Sequence, residues 1–172
     1  MSGVVEQVSA KYREHAPELK AYLLRLGCPA PWVEDIVQEG FYRALKYQAV
    51  PFRRIDNLRA WLYRTVYNIY IDSRRRSSRE RALAQESMED NGAGPAEMVL
   101  DREQQDMARV ALDRVPERQK NAVLLCDISG LTYGEAAEVL GTGPGTIRSL
   151  LYRGRMRLRE EYRRLEGGDK GE

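Results

Sequence analysis

The chain is poor in the residues from which metal sites and covalent frameworks are made. In 172 residues it has two cysteines, Cys28 and Cys126, far apart and without a CxxC, and one histidine, His15. That supply cannot assemble a zinc site or a disulfide scaffold, so no metal and no cofactor is expected. Both cysteines sit among apolar neighbours and read as small core residues. No apolar run reaches transmembrane length and no basic-then-apolar leader opens the chain, so no membrane insertion and a cytoplasmic location are expected. Strand-like alternation and solenoid repeats are missing, which leaves an all-α fold. Missing too are paired carboxylates with metal-site logic, a Ser/His/Asp set and a phosphate-cradling loop. No catalytic residue is assigned, and a nucleic-acid enzyme is the weakest of the possible readings.

What is present is hidden by the overall charge of +2. Residues 1–80 hold 14 Lys/Arg against 9 Asp/Glu, residues 81–106 hold 2 against 7, and residues 107–172 hold 12 against 10. Two basic blocks therefore flank an acidic joint. Within the first block, residues 53–79 carry eight arginines and two acids. A local excess of this kind is the footprint of a polyanion.

The organisation follows: two small helical domains joined by a flexible acidic linker. The first, residues 1–78, should contain three helices: about Val4 to Leu26, about Trp32 to Tyr47, and from an Asp56 or Asn57 cap to about Arg76. The linker, 79–97, includes Glu86-Ser87-Met88-Glu89-Asp90-Asn91-Gly92-Ala93-Gly94-Pro95, small, acidic and broken by Gly and Pro. The second domain, 98–166, should hold four helices, and a frayed tail, 167–172, is expected after it.

Within the second domain, Thr132 and Glu135 form a capping-box pattern that opens a short helix. Ala136 and Ala137 allow a close crossing, and Gly141 supplies the left-handed residue that ends that helix. Thr142 is the expected cap of a second helix with Pro144 in its first turn. That helix turns Ile147, Leu150 and Leu151 inward and carries Arg148, Arg153, Arg155, Arg157 and Arg159, with no acid between Pro144 and Arg159. A short helix, a glycine turn and a basic helix make a helix-turn-helix suited to the DNA major groove. An ordinary αα-hairpin with a solvated arginine face is the plain alternative.

Two faces of the first domain carry chemistry. On the second helix Asp35, Gln38, Glu39 and Tyr42 recur at i, i+3, i+4 and i+7, opposite the apolar face. This is either a solvated stripe or a docking surface for a basic helical partner. On the third helix Tyr63, Arg64, Tyr67, Asn68, Ile71, Asp72 and Arg75 form an outer face that continues into Arg74-Arg75-Arg76. Rings to stack bases, an amide to read a base edge and guanidiniums to hold phosphates suit single-stranded nucleic acid. Either Tyr63 or Tyr70 can instead complete the small core.

Taken together, Asp35-Ile36-Val37-Gln38-Glu39, then Arg59-Ala60-Trp61-Leu62-Tyr63-Arg64 with Asn68 and Asp72, then Leu112 to Gln119 and the helix-turn-helix resemble a bacterial RNA polymerase sigma factor. The resemblance is to the extracytoplasmic-function class and covers residues 8–80 and 97–163. It implies an alternative sigma factor that binds core polymerase, recognises promoter DNA and promotes strand opening. By resemblance, Asp35, Gln38, Glu39 and Tyr42 dock on the clamp helices of the largest polymerase subunit. Arg53, Arg54, Arg64, Tyr67, Asn68, Asp72 and Arg75 meet the minus-ten element. Thr146, Arg148, Ser149, Tyr152, Arg153 and Arg155 meet the minus-thirty-five element, while the second domain sits on the flap of the second-largest subunit. An anti-sigma factor is a further partner that the family implies. Leu150 stands where the family usually carries a basic residue, which concentrates the duplex contacts on Arg148, Ser149, Tyr152 and Arg153. The competing reading is a conventional helix-turn-helix regulator with an N-terminal sensing or dimerisation domain.

Overall fold

Three helices build the first unit in the computed structural model, which describes residues 2–84 and 102–168: α1 (Ser2–Leu26), α2 (Ala30–Gln48) and α3 (Leu58–Ala84). Gly27, at φ 102°, ends α1, and the Cys28 N–H donates back to the Leu23 carbonyl at 2.9 Å. α1 continues past Pro17, which is exposed. An interior proline costs about 3 kcal/mol, and the buried Ala16, Leu19, Tyr22 and Leu23 around it outweigh that cost. Pro29 precedes α2 and Pro31 lies in its first turn, where a missing N–H leaves no bond unmade. Between the two possible caps of α3 the structure selects Asn57, whose Oδ1 accepts the Ala60 N–H at 3.0 Å. Val37, Phe41, Leu62 and Val66 close the core with α1. At Gly40 an added Cβ would lie 2.9 Å from a Val66 methyl, so the crossing of α2 and α3 depends on a bare backbone there.

α3 is longer than its sequence suggested. It continues to Ala84 rather than stopping near Arg76, so 79–84, assigned to the linker, are helical. Nothing between Arg76 and Ala84 breaks a helix, and polar composition alone does not end one. The remainder of the linker, the expected helix start at Met98 and the last four residues lie outside the described residues.

Among its described residues the second unit has four α-helices, the number expected: α4 (Arg102–Asp113), α5 (Glu117–Val123), α6 (Tyr133–Leu140) and α7 (Pro144–Gly168). α5 widens into a π-turn at Leu124–Ile128 before Gly130, at φ 71°, ends it. The Thr132/Glu135 capping box forms in both directions, and Gly141 is left-handed at φ 61°. The cap of α7 falls one residue later than expected. Gly143, not Thr142, offers the carbonyl that receives the Ile147 N–H at 3.2 Å, and α7 begins at Pro144. Its helix continues through Gly168, past the 166 boundary, so 167 and 168 are not frayed tail. Ile147, Leu150 and Leu151 are buried as expected. At Gly154 a Cβ would sit 2.9 Å from both the Gln119 carbonyl and a Val123 methyl, which marks the closest approach of α7 to α5.

One polar cluster ties α1 to α3. The Glu18 carboxylate receives the Arg59 fork at 3.1 and 2.8 Å, the Tyr63 hydroxyl at 3.3 Å, and lies 2.9 Å from His15 Nδ1. This gives Tyr63 a reason to be buried. It lies in the core rather than on the outer face of α3 where spacing placed it, and Tyr70 is buried as well. Burial by itself would raise the Glu18 pKa; the bonds from Arg59 and His15 outweigh it, and the net direction is downward from 4.5. A folded-state pKa below the unfolded value adds stability above about pH 4.5, lost as pH falls through the lower folded value. Glu18→Gln should therefore cost about 1.5–3 kcal/mol near neutrality. The deficit relative to wild type should shrink as pH drops below 4.5 in urea titrations; a pH-independent deficit would contradict the assignment.

Candidate polymerase and nucleic-acid interfaces

The outer stripe of α2 is built on a helix whose other side is core. Val33, Ile36, Val37, Phe41 and Ala44 are buried, which turns Asp35, Gln38 and Tyr42 to solvent with Glu39 half-buried. Local bonds stiffen most of it. The Gln38 amide donates to Glu34 at 3.0 Å, Glu39 pairs with Arg43 at 2.7 Å, and the Lys46 ammonium sits 4.8 Å from the Tyr42 ring centroid. Bonds from Lys20, Tyr12 and Gln38 draw the neighbouring Glu34 carboxyl down to about 2. Asp35 makes no ion pair among the described residues, so its charge is available to a partner. Against this stripe an open groove lies between α1 and α2, floored by Phe41, Tyr12 and Leu45.

The α3 face holds together as a surface once Tyr63 is removed from it. Arg64, Asn68, Asp72 and Arg75 are exposed, and Tyr67 and Ile71 are half-buried. Arg53 and Arg54 lie exposed on the loop that leads into α3, with the Arg53 guanidinium 5.2 Å from the Tyr47 ring centroid. That loop also contains a residue not singled out in the sequence. Phe52 is fully exposed, and it alone among the described non-glycine residues has a positive φ, 66°. A bulky side chain in the left-handed region is strained, and such strain gathers at binding sites. No glycine or asparagine flagged this turn; the only sequence clue was an unsupported aromatic next to Pro51 and two arginines.

On α7, Thr146, Arg148, Ser149, Tyr152 and Arg153 are exposed on the side away from Ile147, Leu150 and Leu151. Leu150, 7% exposed, belongs to the core and cannot face a duplex without unmaking it. Arg155 differs from the other arginines of this face. Both its fork nitrogens bind Asp127 in the π-turn, at 2.9 and 2.6 Å, so its charge braces α7 against that turn.

No helix among the described residues is long and apolar enough to cross a membrane. Residues 12–80 match the sigma-70 region 2 family, and residues 105–158 match sigma-70 region 4. The chain is 33% identical over 152 residues to the ECF RNA polymerase sigma factor SigE of Mycolicibacterium smegmatis, a match covering 86% of this chain and 58% of that protein. To the ECF sigma factor EcfG of Rhodopseudomonas palustris it is 32% identical, covering 83% of this chain and 77% of the relative. Among solved structures it resembles the sigma factor RpoE of Bartonella quintana, crystallised with the anti-sigma factor NepR. There the identity is 28% and the TM-score 0.74, over 92% of this chain and 98% of that one. Two family modules in this order, on these two units, make the chain a member of the extracytoplasmic-function RNA polymerase sigma factors.

The Arg155–Asp127 bridge generates a direct test. Arg155→Ala and Asp127→Ala should each lower the melting temperature of the full chain. The double variant should fall no further than the more damaging single, because both remove one interaction. Additive losses in a thermal double-mutant cycle would show that the two side chains act separately.

Proposed function

We propose that this sigma factor works through three surfaces, each the solvent side of a helix whose other side is core. Asp35, Gln38, Glu39 and Tyr42 on α2 dock on the clamp helices of the largest polymerase subunit. Arg64, Tyr67, Asn68, Asp72 and Arg75 on α3, with Arg53 and Arg54, capture bases of the opened minus-ten element, and the strained Phe52 joins them as a stacking wall. The start of α7, from Thr146 to Arg153, reads the minus-thirty-five element as duplex while the second unit rests on the flap. Arg155 is assigned a bracing role in that surface rather than a base contact. The chain acts in the cytoplasm by binding, without catalysis of its own, and an anti-sigma factor is proposed as its regulator, like the NepR found with the Bartonella quintana relative.

The observation that carries this reading is the composition of the α3 face: exposed arginines, an exposed amide and a half-buried ring on one helix, next to a loop that holds an aromatic ring fully in solvent. An extruded base needs a stacking surface, a donor–acceptor pair for its Watson–Crick edge and cations for the flanking phosphates. A sensing or dimerisation domain would have no use for such a face.

Two outcomes are expected. Asp35→Lys combined with Gln38→Ala should weaken capture of core polymerase in a pull-down while leaving helical content unchanged by circular dichroism. Undiminished capture would remove the docking assignment. Unstacking a base costs a few kcal/mol, so Asn68→Ala should slow open-complex formation on linear duplex promoters far more than on templates carrying a pre-melted bubble. It should also change base preference at one non-template position. Normal initiation from duplex promoters with unchanged preference would place the capture site elsewhere.

A further inference from the structure

The loop between α2 and α3, residues 49–57, has little burial to shape it. Ile55 is half-buried and every other residue of the loop is exposed, and the loop contains no glycine. Backbone bonds turn it at its start. The Val50 N–H donates to the Tyr47 carbonyl at 3.4 Å, and the Arg53 N–H to the Val50 carbonyl at 3.2 Å. The second bond closes a turn from Val50 to Arg53 with Pro51 and Phe52 at its centre. Proline fixes a negative φ, and Phe52 follows it at φ 66°. Among the regular turns type II joins those two signs, and the place Phe52 occupies there ordinarily goes to glycine. A phenylalanine held in that place needs support from outside the turn.

Tyr47 supplies the support. It lies in the last turn of α2, and Trp61 lies in the first turn of α3, so the pair stands at the two ends of the loop. Their ring centroids are 6.0 Å apart, and both residues are half-buried at the margin of the core. The Arg53 guanidinium lies 5.2 Å from the Tyr47 centroid, within the range of a cation–π contact. Arg53 directly follows Phe52, so an arginine held on that ring holds the left-handed residue before it. Tyr47 thus grips the turn twice, by its carbonyl at Val50 and by its ring at Arg53. A guanidinium stacked on a ring keeps N–H donors at its rim, so the contact leaves Arg53 able to meet a phosphate.

We propose that Tyr47 is a positioning residue for base capture: braced by Trp61, it latches Arg53 and so presents Phe52 to the minus-ten strand. The latch stands on the geometry of the loop. Its use in capture rests on the reading of Phe52 as a stacking wall given above.

Tyr47→Leu keeps apolar bulk against Trp61 and removes the negative face of the ring, whereas Tyr47→Phe keeps both. The first arm of the test reads the latch in the full chain without DNA. A protease needs an extended segment, so trypsin cleavage after Arg53 or Arg54, measured against cleavage after Arg81, reports the unlatched fraction. The second arm measures holoenzyme affinity for pre-melted templates carrying each base in turn at each non-template position of the minus-ten element. A template abasic at the position where Phe52→Ala flattens the preference is the control.

Tyr47→Leu should speed cleavage of the loop and lower affinity for the preferred base at that position, with the abasic template bound as before. Tyr47→Phe should behave as wild type. Affinity follows the latched fraction and cleavage the open one. The product of the two factors is therefore the change in the latch equilibrium, roughly two- to fivefold for an exposed cation–π contact. In a Phe52→Ala background Tyr47→Leu should still speed cleavage but no longer alter base preference. Unchanged cleavage in Tyr47→Leu, or an equal defect in Tyr47→Phe, would overturn the latch. Faster cleavage with unchanged base preference, while Phe52→Ala still flattens it, would overturn the positioning role. If Phe52→Ala itself leaves every preference intact, the stacking-wall reading fails and the use in capture with it, and the cleavage arm alone decides the latch.

Discussion

The approach of α7 to α5 at Gly154 is the constraint on which the second unit depends. With a backbone carbonyl and a methyl each 2.9 Å from where a Cβ would stand, no side chain fits without parting the two helices. The contact fixes the rotation of α7 about its own axis. Once that rotation is set, Ile147, Leu150 and Leu151 must face the core, and Arg148, Ser149, Tyr152 and Arg153 must face out. The Arg155–Asp127 bridge adds a second point of attachment on the π-turn, and two points define an orientation where one would leave a swivel. The precision of a reading helix is thus supplied from behind it.

The first unit solves the same problem with polar chemistry. Three helices of this size cannot exclude water from every polar group, and Glu18 gathers three donors from two helices at one half-buried point. The cluster holds α3 in register with α1, and it takes the Tyr63 hydroxyl inward, leaving the outer face to smaller and more flexible groups. Arg64, Asn68 and Asp72 lie well round the helix from Tyr63 and stay exposed.

Where structure follows from neighbouring residues, it was legible in the sequence. The Thr132/Glu135 box, the left-handed Gly141 and the inward Ile147, Leu150 and Leu151 follow from local bonds and from helical period. The α7 cap was displaced from Thr142 to Gly143 because backbone geometry, not side-chain preference, chose the carbonyl that opens the helix. Tyr63 was ambiguous because its partner, Glu18, is 45 residues away. Arg155 read as one more arginine of a basic face because Asp127 is 28 residues distant and sits in a π-turn, which arises from tertiary packing and has no sequence signature. The left-handed turn at Phe52 is not legible in the sequence because such backbone is normally announced by glycine. The end of α3 is illegible for the opposite reason: a solvated, charged helix and a linker have similar compositions.

That extension of α3 has a consequence of its own. Beyond Tyr70, the last buried residue of the helix, the chain continues for roughly four turns toward Ala84 with little tertiary packing to hold it. Arg75 and Arg79 stand one turn apart, as do Arg76 and Arg79, and like charges at these spacings oppose helix formation. Asp72 offsets this toward Arg75 and Arg76, and Glu80 toward Arg76. Past Asp72 the segment carries five exposed arginines, Arg74, Arg75, Arg76, Arg79 and Arg81, against the single acid Glu80, and that excess couples it to salt and to any polyanion lying alongside. The ionic medium is therefore part of what this end of the helix responds to.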